Sequence, residues 1–158
     1  MLGADRLCIV IGDVADKGVP AALMMARTVT LIRLIAKRNH TPTGILEAVN
    51  RELCINNDEC LFVTLFCGIL NLPTGVFHYA SGGHEPPLLV QNHQVEFLPL
   101  NTGPSLGLEE DAIFPDCEVL IHPNDLLLLY TDGITEAMNA QGDFFSEARL
   151  LETIACDP

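Results

Sequence analysis

From Leu61 the hydrophobic period of this chain changes. Leu61 to Leu70 reads Leu-Phe-Val-Thr-Leu-Phe-Cys-Gly-Ile-Leu, a long β-rich run, whereas the segments before it carry apolar residues at helical spacing. No single kind of element accommodates both patterns, so the chain must group helices first and strands afterwards. Pro20 suits the first turn of a helix, where its missing N–H costs nothing. Ala21, Leu23, Met24, Val29, Leu31, Ile32, Leu34 and Ile35 then form a broad apolar face that runs to Lys37-Arg38-Asn39, with cations where the helix dipole favours them. Thr41-Pro42 repeats the start signal, and Ile45, Leu46, Val49 and Leu53 recur at helical spacing through a second helix.

Pro73-Thr74-Gly75 turns the long run back into residues 76–80, which predicts a hairpin. Residues 81–87 interrupt, and runs at 88–90 and 95–98 flank a polar turn at 91–94, a second hairpin. A loop with Gly103, Pro104 and Gly107 follows. Residues 113–121 are expected to pair across His122-Pro123-Asn124-Asp125 with residues 126–130, and residues 134–140 and 146–155 are helical in composition. One strand precedes all of this: Cys8 to Ile11, four apolar residues leading into Gly12-Asp13, reads as a buried strand bounded by a turn. Grouped helices and hairpins in this order predict an α+β fold with antiparallel sheet rather than a doubly wound parallel one.

At 158 residues the chain fits a single domain, long enough to bury roughly two thirds of its unfolded surface. Its charge, 8 Lys+Arg against 21 Asp+Glu, is −13, a field that repels phosphate backbones and anionic lipid and so argues against nucleic acid and membrane surfaces as partners. A phosphorylated substrate is repelled too, unless bound cations invert the sign locally. Cysteines 8, 54, 60, 67, 117 and 156 contain no C-x-x-C pair, and several sit inside apolar runs. They are expected as buried reduced thiols rather than disulfides or a zinc site, which implies a reducing, cytoplasmic setting. No charged segment followed by an apolar one opens the chain as a signal peptide does. The most apolar long segment, residues 19–36, carries Arg27 and Arg33 inside it, which fits a soluble helix and not a membrane span.

Two stretches share one grammar. Cys8 to Gly12 is an apolar run that stops at Asp13, and the run from Leu126 stops at Thr131-Asp132-Gly133. A carboxylate at the tip of a packed strand is rigidly held, and two of them begin a site for a hard cation, since Mg²⁺ and Mn²⁺ prefer carboxylate, carbonyl and water oxygens. Aspartate also suits a turn or a helix N-cap, so both positions have a purely structural reading. Asp16 and Lys17 read as a solvated turn, Thr135 and Glu136 as helix capping, and Met24-Met25 as core. His84 sits in Gly-Gly-His-Glu-Pro-Pro; histidine serves as ligand or proton donor, but a chain reversal fixed by its hydrogen bond is the plainer role.

Five segments, in order, carry a resemblance. Gly-Asp-Val-Ala-Asp-Lys-Gly-Val-Pro-Ala-Ala-Leu (12–23), Phe-Val-Thr-Leu-Phe (62–66), Tyr-Ala-Ser-Gly-Gly-His-Glu-Pro-Pro-Leu-Leu (79–89), Gly-Pro-Ser-Leu-Gly (103–107) and Leu-Leu-Leu-Tyr-Thr-Asp-Gly-Ile-Thr-Glu-Ala (127–137) resemble the motifs of SpoIIE/RsbU-type serine phosphatases, the bacterial branch of the phosphatase 2C-like (PPM) superfamily. The resemblance implies an α-β-β-α four-layer sandwich of two antiparallel sheets flanked by helices. It implies two Mn²⁺ or Mg²⁺ ions, with Asp13 bridging them, Val14 adding its backbone carbonyl and Asp132 a further ligand. It also implies hydrolysis of phosphoserine or phosphothreonine by metal-activated water with no protein nucleophile, the usual substrate being a phosphorylated STAS-type anti-sigma-factor antagonist, hence sigma-factor regulation.

Relatives of this kind also carry an upstream G-G-D-type segment and a D-D pair in a C-terminal strand, both supplying metal-site carboxylates. Neither is in residues 1–158, so on this pattern the domain is expected to be truncated at both ends, with weak, water-rich metal binding and edge strands open to a second copy. A catalytically inactive fragment or pseudophosphatase that only binds protein is the competing reading. A haloacid-dehalogenase-like site, whose D-x-D-G motif shares Asp-Gly with residues 132–133, needs aspartate at the position of Tyr130 and fails on that residue.

Overall fold

The computed structural model describes residues 1–92 and 94–156; His93, in the expected turn at 91–94, lies outside the described residues, as do Asp157, Pro158 and the side chain of Cys156. In chain order the elements are strand β1 (Arg6–Val14), helices α1 (Val19–Ile35) and α2 (Pro42–Cys54), strands β2 (Val63–Asn71), β3 (Val76–Gly82), β4 (Leu88–Gln91), β5 (Gln94–Phe97), β6 (Thr102–Gly103), β7 (Cys117–Leu120) and β8 (Leu126–Leu128), the single turn α3 (Asp132–Thr135) and helix α4 (Ser146–Cys156). The fold is mixed α+β, and the chain divides into two compact units, Met1–His84 with Leu100–Ile121, and Glu85–Pro99 with His122–Pro158, each built on one sheet.

In the first unit β1 and β2 pair antiparallel along their whole length, from Arg6 opposite Asn71 to Val14 opposite Val63. β3 returns antiparallel along the other side of β2, through the turn at Pro73-Thr74-Gly75 that the sequence marks. The sheet is antiparallel apart from the two-residue β6, which meets the end of β3 in parallel. Alternation along β2 separates two faces. Val63, Leu65, Cys67 and Ile69 belong to one buried cluster with Ile45, Leu46, Val49 and Leu53, the residues that give α2 its helical spacing. Each of those α2 side chains is fully buried, worth about 1.5–3 kcal/mol apiece. The other face carries Phe66, Phe77 and Tyr79, with Phe77 and Tyr79 stacked at 5.5 Å between ring centroids. Gly68 makes room for them: a Cβ there would stand 2.1 Å from the Phe77 ring.

The helices start where the sequence says. Thr41 caps α2 by accepting the Gly44 N–H at 3.2 Å, and Pro20 lies in the first turn of α1. The broad apolar face expected of α1 is only partly used. Ala21, Met24 and Thr28 are buried, while Leu23 and Leu34 are more than half exposed, because a helix with neighbours on one side buries one stripe. Asn50 on α2 is a polar peg in this apolar setting. Its amide nitrogen donates to the carbonyls of Glu109 and Glu110, and its oxygen accepts the Gly107 N–H, so one buried side chain holds the loop after β6.

The second unit contains the second expected hairpin, β4 with β5. Here the structure corrects the sequence reading twice. β7 and β8 do not pair with each other: β7 joins β3 in the first unit, and β8 joins β4 in the second. The intervening turn is held by Asp125, whose carboxylate accepts the His122 N–H at 2.7 Å and the Gln91 amide at 2.6 Å; these bonds, the His122 one foremost, hold it below the usual carboxylate range. The helix expected at residues 134–140 is a single turn, α3. Asn139 breaks it by accepting the N–H groups of Gln141 and Asp143, and Met138 then bridges to Phe144. The described cysteines are free as expected, but only Cys67 is buried; Cys60 is exposed and Cys8, Cys54 and Cys117 are half-buried.

Two outcomes test this account. Asn50→Ala strands one N–H and two carbonyls and should cost about 1–3 kcal/mol in urea denaturation, against almost nothing for an exposed asparagine. In the native protein Ellman's reagent should label Cys60 first and Cys67 only on unfolding, because the Cys67 thiol's hydrogen bond with Cys8 and then its burial both raise its pKa.

Candidate metal and phosphate site

Asp13 is the penultimate residue of β1, directly opposite Thr64 on β2. Its side chain is exposed, and Oδ1 accepts the N–H of Val14 at 2.9 Å. Val14 is buried and pairs with Val63, so the peptide linking the two residues is fixed at the end of a packed ladder. Asp13 does not cap α1, whose N-cap is Gly18 with no side-chain bond. Asp16, at φ +72°, accepts the Lys17 N–H at 2.8 Å, the solvated turn expected there.

Beyond β3, Gly83 adopts φ +69° and donates to Gly103 O at 3.0 Å; a Cβ at this position would meet Ser105 Oγ at 2.5 Å. The reversal turns His84 inward, to 4% exposure. Its N–H donates to Ser81 Oγ and its carbonyl accepts from the same hydroxyl, each at 3.2 Å. The ring Nδ1 lies 3.0 Å from Thr64 Oγ1, and that hydroxyl also reaches Asp13 O at 3.5 Å. Thr64 is the residue that motif reading left without a role. The sequence shows it only as one hydroxyl within an apolar strand run; its place against Asp13 comes from the antiparallel register, which the run itself does not specify.

In the second unit, Tyr130 joins Leu88 and Leu150 in the core, and burial, then Glu147 and Glu85, pushes its hydroxyl up to about 12. This anchor precedes Thr131 and fixes the start of α3, where Asp132 stands. The backbone oxygen of Asp132 accepts the Glu136 N–H at 2.7 Å and the Thr135 hydroxyl at 3.3 Å, so Thr135 and Glu136 close the turn. The Asp132 carboxylate takes no hydrogen bond among the described residues, and thus neither caps nor builds the turn.

Asp13, Val14 and His84 therefore lie in the first unit and Asp132 in the second. Among the described residues no group of three or more His, Cys, Asp or Glu side chains converges to hold a metal. Taken separately, the exposed Asp13 carboxylate keeps one oxygen uncommitted and the Asp132 carboxylate takes no hydrogen bond among the described residues; each has the oxygen chemistry a hard, water-rich cation prefers, and neither belongs to a closed protein cage. No helix among the described residues is long and apolar enough to cross a membrane.

Comparison with known proteins identifies the family. Residues 3–158 match the family model of stage II sporulation protein E (SpoIIE). The chain is 29% identical over 184 aligned residues to protein IcfG of Synechocystis, covering 99% of this chain and 29% of that protein, and 31% identical over 139 residues to the phosphoserine phosphatase RsbU of Bacillus subtilis, covering 87% of this chain and 42% of that one. It spans well under half the length of these relatives. The crystal structure of the RsbU and RsbW domains of a Mycobacterium tuberculosis protein superposes with a TM-score of 0.83 at 30% identity, covering 96% of this chain and 42% of that one. The family match extends across nearly every residue, and so the chain belongs to the SpoIIE family and has its phosphatase 2C-like fold.

Proposed function

We propose that this domain hydrolyses phosphoserine or phosphothreonine on a partner protein with the help of Mn²⁺ or Mg²⁺, with Asp13, the Val14 carbonyl and Asp132 as cation ligands. The observation that carries the proposal is Asp13: an exposed carboxylate near the end of a strand that pairs with β2 along its whole length, with bonding capacity the fold does not use. When bound, two divalent cations would supply polarisation of the phosphoryl oxygens and a water of lowered pKa, so that no side-chain nucleophile would be needed. Asp13 contributes anionic oxygens whose direction is set by the bond from Val14 N–H to Oδ1. Asp132 contributes a carboxylate on a turn anchored by Tyr130. A chain of net charge −13 accepts a phosphorylated partner only where cations offset that field, which is why metal and substrate go together here.

The substrate we propose is a phosphorylated STAS-type anti-sigma-factor antagonist in the cytoplasm; support comes from the RsbU relative, named a phosphoserine phosphatase, for the phosphoserine and from the free thiols of the described cysteines for the reducing setting. β1 ends the sheet, and its outer edge has no strand partner among the described residues, so a second copy would pair there. A second reading, a protein-binding module without turnover, is favoured by one observation: no three ligating side chains converge among the described residues.

Hydrolysis of p-nitrophenyl phosphate, and release of phosphate from a phosphorylated STAS protein, should appear on adding Mn²⁺, vanish with EDTA and be lost in Asp13→Asn and Asp132→Asn. No turnover at any Mn²⁺ concentration would decide for the binding module. Both variants should keep their denaturation midpoints, within about 0.5 kcal/mol, because neither carboxylate supports the fold.

A further inference from the structure

We propose that Thr64 and the buried His84 form a brace on the Asp13–Val14 peptide, so that His84 is a positioning residue for the candidate metal site and neither a ligand nor a proton donor to substrate. This rests on the reading of Asp13 as a cation ligand. The brace is built from one continuous set of contacts. His84 Nδ1 meets Thr64 Oγ1 at 3.0 Å, and Thr64 Oγ1 reaches the carbonyl oxygen of Asp13 at 3.5 Å. That carbonyl belongs to the peptide whose N–H, from Val14, donates to Asp13 Oδ1 at 2.9 Å. The same peptide plane is thus held at its oxygen by the threonine and at its hydrogen by the carboxylate it orients. A tilt of the plane moves Oδ1 with it.

Hydrogen counting gives the brace a direction. The Thr64 hydroxyl carries one hydrogen; when it points to Asp13 O, the His84 ring must present N–H at Nδ1 to the threonine oxygen. The histidine can act as a fixed post because its own backbone is tied down. Its N–H and C=O both engage Ser81 Oγ, and Gly83 turns with φ +69° against Ser105, where no side chain fits. At 4% exposure, with Nδ1 committed, His84 is poorly presented to a phosphoprotein. Residues that orient first ligands in this way typically change metal affinity 10–100-fold when removed, although they never touch the ion.

The test is Mn²⁺ affinity of the full chain by titration calorimetry, read beside the thermal midpoint. Thr64→Val keeps the shape and strand propensity of threonine and deletes the hydroxyl; with His84→Ala it should weaken Mn²⁺ binding by about tenfold or more, and Thr64→Ser should restore it to within about threefold. Asn57→Ala serves as the structural control, since that side chain ties Leu61 and Gly107 and is no part of the brace; it should lower the midpoint and leave Mn²⁺ affinity unchanged. Unchanged affinity in Thr64→Val, or an affinity that merely follows the midpoint across all four variants, overturns the brace while leaving Asp13 a ligand. A wild-type chain that takes up no Mn²⁺ overturns the ligand reading itself, and the brace with it.

Discussion

The ladder between β1 and β2 is the constraint on which the rest depends. Every residue from Arg6 to Val14 has a partner from Asn71 to Val63, and because side chains alternate, a slip of one position would drive Thr64 into the cluster with Ile45 and Leu53 and push Leu65 and Cys67 onto the face that Phe66, Phe77 and Tyr79 already fill. Burial of that apolar set is worth several kcal/mol per pair of side chains, far more than any local preference at the strand end. The core therefore decides, from a distance, that Asp13 faces Thr64. An exposed, charged residue gains a defined place without contributing to the energy that defines it.

This division explains which parts of the structure can be read from residues alone. α2 is legible because its apolar spacing, its Thr41 cap and its Pro42 agree, and the two hairpins are legible because their turns are short and local. β7 and β8 are legible as extended segments but not as partners. Their pairing with β3 and β4 is a choice between sheets, made by which edges are free, and alternation in a single strand carries no such information. The segment after Asp132 fails for a local reason: Ile134 to Ala140 has helical composition, but one asparagine, with Gly142 at φ +88°, offers its backbone a tighter turn. Thr64 was invisible for a third reason. A hydroxyl in a strand gains meaning only from what stands opposite, and neither the register nor the inward turn of His84 is a property of residues 62–66.

Hydrogen-bond accounting then sorts carboxylates that look alike in sequence. Asp16, Asp125, Asp143 and Asp132 all stand in or beside turns, the company aspartate usually keeps. Asp125 accepts two donors at Oδ2, which hold its carboxyl below the usual range and tie it to its own turn, and Asp143 meets the Asn139 amide within its own turn. Asp16 accepts the next N–H in a loop with φ +72° and has no rigid element behind it. Asp132 differs because its turn is completed by Thr135 and Glu136 through its backbone oxygen, which leaves the carboxylate idle on a segment anchored by a buried tyrosine.

Asp13 is intermediate, and its one internal bond is informative. The N–H it accepts comes from Val14, the residue whose carbonyl is the other candidate donor, so the bond aims the carboxylate and does not cap, close or neutralise anything. A side chain whose only contact sets its own direction is organised for something outside the fold. In a chain of net charge −13 the partner such a carboxylate favours on electrostatic grounds is a cation, because a further anion meets an unfavourable field. Under the proposed function phosphate hydrolysis enters only after this step, as the use to which that cation would be put.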